Sequence, residues 1–267
     1  MSNPKEPDIV ATHKGTFGRD FSEPKWKSYD ACFDKEGLRI DSSIHTFACP
    51  LAPKRIADKI PHAKLILCLR EPVERSVSHW RMIVDLEADK KNGTDWTEFD
   101  EAWKDDRLRQ ESLYGQSIQN WLEYFPISQI HIIDSERMKN KPEHVIHKIE
   151  KFLGINHYTS MVLDQKNANK AIDRRIQSNL GNIVAKIASK IPFFLKAPII
   201  YPLELFGINI YKTKLLTSRN SSYSMEEKYY EICEKFVSKD LELFQEKTNF
   251  STEHWIKIIS DNSKNKI

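Results

Sequence analysis

Cysteine is scarce in this 267-residue chain: the four present, Cys32, Cys49, Cys68 and Cys233, show neither C-x-x-C spacing nor the density of a disulfide framework. That usage suits a reducing compartment. Net charge is almost absent, with 41 basic against 38 acidic side chains for +3. No global field therefore recommends nucleic acid as a partner, and any anion site must be local. Long apolar runs are missing as well. The nearest, Ile187 to Ile210, is broken by Lys190, Lys196, Glu204 and three prolines, and it reads as a lid or a packed irregular segment rather than a transmembrane span. The opening MSNPKEPDIV lacks the apolar centre of a signal peptide, so a cytoplasmic protein is expected. No His/Cys cluster has metal-ligand spacing, and no metal is expected.

What is present is a 40% apolar content, enough for the core of one domain over residues 1–267. Its parts are a loop-rich 1–35, an α/β core over 36–156 and a helical 157–267. The central stretch is AKLILCLREPVERSVSHW, Ala63 to Trp80. Leu65 to Leu69 is apolar without alternation, the pattern of a strand covered on both faces. Glu71 and Pro72 end it, Pro72 presets a helical first turn, and Val73, Val77 and Trp80 recur at helical spacing. Such a junction puts Arg70 at the carboxyl end of a strand and Ser78 two turns into a helix, where ligands of open α/β sheets gather. A guanidinium and a hydroxyl there can hold a phosphate. The plainer alternative pairs Arg70 with Glu71 or Glu74.

Around this unit, the aromatics Phe21, Trp26, Tyr29 and Phe33 make the first 35 residues a packed segment. Leu38 to Ser43 reads as a short extended piece followed by His45, Thr46 and Phe47. Pro53 to Ile60 reads as a helix with Ile56 and Ile60 inward, completing a β-α-β unit. Trp96, Phe99 and Trp103 suit core packing better than stacking on a sugar. A helix over Ser112–Phe125 stops at Pro126, Gln129 to Asp134 is a second parallel strand, and the next helix closes at Gly154. Helices follow over 171–190 and from Met225 to about Thr248, the latter burying Tyr229, Ile232, Phe236, Leu241 and Phe244, with Trp255 closing the fold. Lys212, Lys214 and Arg219 fall in a polar loop between them.

Arg70, Pro72, Arg75 and Ser78 spell R-x-P-x-x-R-x-x-S, and the stretch resembles the segment with which sulfotransferases bind the 3′-phosphate of 3′-phosphoadenosine 5′-phosphosulfate (PAPS). Tyr114-Gly115-Gln116 through Phe125-Pro126, the strand ending before Glu136, Phe152-Leu153-Gly154, and the closing Phe250-Ser251 and Trp255 are similar to the rest of that domain. The resemblance implies an α/β fold, a parallel β-sheet flanked by helices of the P-loop NTPase-like sulfotransferase type. It implies transfer of a sulfuryl group to an acceptor hydroxyl or amine, with Arg70 and Ser78 on the donor. Lys5-Glu6 resembles the K-E-x-x-F-F segment of the glycan sulfotransferases, with Asp8-Ile9-Val10 in place of the aromatic pair. That implies Glu6 as acceptor base, Lys5 as supporting charge and a carbohydrate acceptor. A basic loop over the donor would supply Arg219. Glu136 is read as structural.

The resemblance also implies a strand and a P-x-x-G-T-T-like loop for the 5′-phosphosulfate ahead of Lys5, where this sequence has only four residues. The expectation is an amino-terminal β-α unit missing from the fold. The other reading takes Ile9 to Thr16 as a shortened loop with Lys14 on the sulfuryl group. The functional alternative is a truncated or inactive relative that binds nucleotide or glycan without turnover. A small-molecule P-loop kinase lacks its Walker lysine and magnesium carboxylate here.

Overall fold

The computed structural model describes residues 1–156 and 225–263, together with the backbone of Arg175–Gln177 and Thr217–Arg219. In chain order these hold the strands β1 (His13–Lys14) and β2 (Gly18–Arg19), helices α1 (Trp26–Asp30) and α2 (Ala52–Lys59), and strand β3 (Leu65–Leu69). Helices α3 (Pro72–Asp85), α4 (Ala88–Lys91), α5 (Phe99–Lys104), α6 (Asp106–Arg109) and α7 (Tyr114–Leu122) follow. Strand β4 (Ile130–Asp134), helices α8 (Ser135–Asn140) and α9 (Pro142–Leu153), strands β5 (Arg175–Gln177) and β6 (Thr217–Arg219), and helices α10 (Glu227–Thr248) and α11 (Glu253–Ser263) complete the order. The contacts group into two compact units, residues 1–163 with 225–267, and residues 164–224.

In the first unit β3 and β4 pair in parallel, in register from Leu65 opposite Ile130 to Leu69 opposite Asp134. A parallel pair needs a crossover, and α3 to α7 supply it. The expected architecture of parallel strands flanked by helices is therefore present. One expectation fails within it: β3 is not covered on both faces, since Ile66 is 40% exposed and Cys68 is exposed as well. An apolar run reports composition, and it is blind to which face finds a partner.

The extended piece over Leu38 to Ser43 is not a strand. The Asp41 carboxylate accepts the amide of Ser43 at 2.8 Å, and this local turn replaces ladder pairing; a 3₁₀ turn over Ile44–Thr46 follows. No β-α-β unit precedes β3. Helix α2 forms as expected, but Ile60 lies beyond its end and is exposed. Phe21 is exposed too, while Trp26, Tyr29 and Phe33 stack edge to face at 5.6 and 5.0 Å.

Trp80, Trp96, Phe99, Trp103 and Tyr229 are buried together, which settles the tryptophans as core. Trp80 packs edge-on to Phe99 at 5.3 Å, and its indole nitrogen donates to the Trp96 carbonyl at 2.6 Å. On α10 the buried stripe runs through Tyr229, Tyr230, Cys233, Val237, Leu241 and Phe244. Phe236, expected inside, is 51% exposed beneath the Arg109 guanidinium.

Helix α10 also caps α7. Leu113, the residue before α7, has no side-chain acceptor, and Asp240 supplies one, taking the amides of Gly115 and Gln116 at 2.7 and 2.9 Å. A Cβ at Gly115 would stand 2.3 Å from the Asp240 carbonyl oxygen, so only glycine allows this approach.

The second unit contributes the antiparallel pair β5 and β6, with Arg175 opposite Arg219. The helix expected over 171–190 is thus contradicted at Arg175–Gln177, where polar-apolar-polar alternation suits a strand as well as a helix. The remainder of that helix, the Ile187 to Ile210 segment, Lys212 and Lys214 lie outside the described residues. Arg219 sits at the end of β6 rather than in a loop, and its backbone alone is described.

Candidate functional site

The junction between β3 and α3 forms as its residues dictate. Pro72 opens α3, and the Glu71 side chain accepts the amides of Val73 and Glu74 at 2.9 and 2.7 Å, capping the helix start. Glu71 is buried, and burial pushes its pKa up to about 7 although both amide bonds pull the other way. Its folded pKa lies above the ordinary 4.5, so its contribution to stability is complete below that value and is lost as pH rises towards about 7. Thermal melts of wild type and Glu71→Gln between these limits should show a wild-type decline that the variant lacks.

Arg70 follows β3 directly, its carbonyl held by the Tyr114 hydroxyl at 2.9 Å. Its Nε and Nη2 donate to Glu74 Oε2 at 3.1 and 2.7 Å, so the plainer sequence reading of an Arg70–Glu74 pair is present. Nη1 has no hydrogen-bond partner among the described residues. Glu74 and Ser78 are one turn apart on one stripe of α3, and Arg70, which precedes the helix, is tied to that stripe by its pair with Glu74. The Ser78 hydroxyl is also without a partner among the described residues.

The neighbouring face of α3 carries Arg75 and His79. Arg75 donates to Glu111 Oε2 at 2.8 Å and to Ser112 Oγ at 3.2 Å. Ser76 donates to Ser112 Oγ at 2.7 Å. The second oxygen of Glu111 meets His45 Nδ1 at 2.9 Å. Burial alone would raise the Glu111 pKa, but the His45 hydrogen bond and the Arg75 charge outweigh it and hold the carboxyl below its usual range. His79 meets the Thr16 hydroxyl at 2.7 Å, and burial takes its pKa down to about 4, so it is neutral.

The amino-terminal segment lies against the turn that carries His45. The Asp8 amide donates to Ser43 Oγ at 3.0 Å, two residues after Glu6, while Ser2 Oγ donates to the Lys5 carbonyl at 2.8 Å. Lys14 is turned inward: its ammonium donates to the carbonyls of Asp8 and Ala11. It lies on the hairpin of β1 and β2, whose turn uses Gly15 at φ 67°, and no helix follows directly as a shortened phosphate loop would require. Cys49 lies beneath, 1% exposed; burial opposes its thiolate, but hydrogen bonds from His13 and Thr12 take its pKa down to about 6.

The predicted residues are thus gathered unevenly. Arg70 is tied by Glu74 to the stripe that carries Ser78, while of the amino-terminal segment it is Asp8, two residues after Glu6, that reaches the Ser43–His45 turn. Lys14 is tied into its own hairpin, and Arg219 belongs to the other unit. Sequence reasoning missed His45, Glu111 and Asp8 as a group, because they come from three distant segments. The one available signal was Arg75, a motif arginine left without an assigned partner. Glu136 pairs with Lys139, in keeping with a structural role.

The sulfotransferase domain family matches residues 27–186, more than half of the chain. The chain belongs to the sulfotransferase domain family. Among curated relatives, heparan sulfate glucosamine 3-O-sulfotransferase 5 of Mus musculus is 28% identical over 127 residues, covering 44% of this chain and 36% of that protein. Bifunctional heparan sulfate N-deacetylase/N-sulfotransferase 4 of Mus musculus is 33% identical over 129 residues, covering 45% of this chain and 15% of the other. The matched part of this chain spans less than half the length of either relative. A solved sulfotransferase from Alicyclobacillus acidocaldarius superposes with a TM-score of 0.52 at 18% identity, covering 95% of this chain and 83% of that one, a likeness of fold. Among the described residues no helix is long and apolar enough to cross a membrane, and no group of three or more His, Cys, Asp or Glu side chains is placed to hold a metal ion.

Proposed function

We propose that this sulfotransferase moves a sulfuryl group from PAPS to a hydroxyl or amine of a carbohydrate acceptor. The observation that carries the reading is the junction at the carboxyl end of β3, where Arg70 pairs with Glu74 and Ser78 follows one turn along α3, with an unpartnered guanidinium nitrogen and an unpartnered hydroxyl among the described residues. These groups suit a phosphate monoester, which wants planar donors and a second hydrogen bond. Arg70 and Ser78 would orient the donor through its 3′-phosphate, Glu6 would take the acceptor proton, and Lys5 would offset developing charge. The donor supplies the sulfuryl group and a phosphate leaving group. Kinship with proteins named for heparan sulfate favours a glycan acceptor.

The test is calorimetric titration with 3′-phosphoadenosine 5′-phosphate, followed by transfer of radiolabelled sulfate from PAPS to heparan sulfate. Binding followed by transfer supports the reading. Binding without transfer to this or to a desulfated heparan chain would make the protein a nucleotide-binding relative instead.

Glu74 gives this reading a gain-of-affinity check. Its carboxylate holds the Arg70 guanidinium, where an incoming phosphate would meet a like charge. Removing that charge is worth roughly 1 kcal/mol at such a half-exposed position. Glu74→Gln is therefore expected to bind the nucleotide about fivefold more tightly, with the gain fading at high salt.

A further inference from the structure

Glu111 joins two parts of the molecule. One of its oxygens holds Arg75 on α3, the helix that carries Ser78, and the other holds His45 on the turn bonded to Asp8 of the amino-terminal segment. The His45 side chain is 11% exposed and that of Glu111 4%, so this pair is nearly dry. His45 Nδ1 is committed to Glu111. Its Nε2 has no hydrogen-bond partner among the described residues and is not one of the unpartnered atoms sealed from solvent.

The charges around His45 set its protonation. Facing it are Glu111, Asp8 from the amino-terminal segment, and Arg75 and His79 from α3. His79 is neutral, so the charges acting on His45 are two carboxylates and the Arg75 guanidinium, while Arg19 acts on Glu111 from β2 and the Lys14 ammonium is bonded at the Asp8 carbonyl. Asp8 Oδ1 is sealed from solvent without a hydrogen-bond partner, which leaves its charge to be met through space. Burial opposes the imidazolium, but Glu111 and Asp8 outweigh it and lift the pKa above the ordinary 6.5. An imidazolium bonded through Nδ1 presents one N–H, on Nε2, as a fixed donor for an anionic oxygen.

We propose that the His45 imidazolium donates its Nε2–H to an oxygen of the sulfuryl group in transit, with Glu111 as the residue that positions it. The proposal rests on the reading above. In the step, the acceptor oxygen or nitrogen forms its bond to sulfur as the bond from sulfur to the bridging oxygen of the donor's 5′-phosphate breaks. That oxygen leaves with the electron pair, and the acceptor proton passes to Glu6. His45 keeps both protons and stabilises charge on the sulfuryl oxygens throughout, in a water-poor setting where an oriented donor acts most strongly. The turn carrying His45 adjoins the acceptor-side segment, while Arg75 ties it to the face of α3 beside the donor stripe.

The test separates the sulfuryl group from the rest of the donor. Affinities of wild type and His45→Gln are measured for PAPS and for 3′-phosphoadenosine 5′-phosphate, which lacks the sulfuryl group. The expected result is a loss of about tenfold or more for PAPS with the affinity for the desulfated nucleotide unchanged. Wild-type transfer should fall as pH rises through the His45 pKa, and Glu111→Gln should move that fall to lower pH. On the intact wild type, the His45 ring resonances should titrate at higher pH with PAPS bound than with the desulfated nucleotide, a readout that needs no variant to fold. Equal affinity changes for both nucleotides, together with a His45 titration indifferent to the sulfuryl group, would overturn the proposal. A change confined to the KM of sulfated acceptors would overturn it too, by moving the contact to an acceptor sulfate. If wild type binds neither nucleotide, the donor-site reading itself fails, and this inference with it.

Discussion

Replacing Arg70 by alanine is expected to lower affinity for 3′-phosphoadenosine 5′-phosphate by roughly 10- to 100-fold, the value of one or two hydrogen bonds to a charged group. The loss should be steep because the residue is anchored. The Tyr114 hydroxyl fixes its carbonyl at 2.9 Å, and the strand it follows is paired to β4 through Leu69. Its guanidinium is therefore presented from a fixed point rather than from a loose loop. Folding should survive, since among the described residues the ion pair lost is the half-exposed one with Glu74, and such pairs contribute at most about 1 kcal/mol. Ser78→Ala should cost less, about 1 kcal/mol for one neutral hydroxyl. Titration calorimetry on variants with unchanged melting temperatures decides the matter: undiminished affinity in Arg70→Ala would remove the donor site from this stripe.

The largest expected effect on stability lies away from that stripe. Asp240→Ala leaves the buried Gly115 amide and the partly buried Gln116 amide at the start of α7 without their acceptor, which costs about 2 to 3 kcal/mol. Gly115→Val should cost as much or more, because its Cβ would stand 2.3 Å from the Asp240 carbonyl and separate the two helices. Asp240→Asn keeps one acceptor oxygen and sheds the buried charge, so it should cost less than alanine near neutral pH. Burial pushes the Asp240 pKa up to about 6 against the pull of its amide partners. Its folded pKa exceeds the ordinary 3.8, so its contribution is complete below that value and declines as pH rises to about 6. Chemical denaturation of wild type and Asp240→Asn across this window should show the decline in wild type alone; parallel curves would mean that the carboxylate is not desolvated in the native state.

Much of the architecture could be read in advance, for reasons local to the chain. Pro72 and Pro142 open helices where they fall, Gly154 closes α9 at φ 74°, and the apolar run at Leu65 forms a strand. Where expectation failed, two local patterns competed. Arg175–Gln177 satisfies both helical and strand periods, and pairing with β6 chose the strand. Leu38 to Ser43 has strand composition, yet the Asp41 side chain captures the Ser43 amide first. Phe236 lies one residue before Val237, and the direction in which α7 and α11 pack on α10 decides which of the two turns inward.

The candidate site divides along the same line. Arg70 and Ser78 fall eight residues apart in one strand-turn-helix unit, and that unit, with the Arg70–Glu74 pair, was legible in the sequence alone. Family membership rests on such short-range wording as well. The Asp8–His45–Glu111–Arg75 cluster was decided by the tertiary structure, because nothing within one turn of His45 indicates that a carboxylate 66 residues away will meet it. Local order follows from backbone sterics and side-chain period, which act over a few residues. The charge state of a buried histidine follows from whichever groups the fold brings within a few ångströms of it.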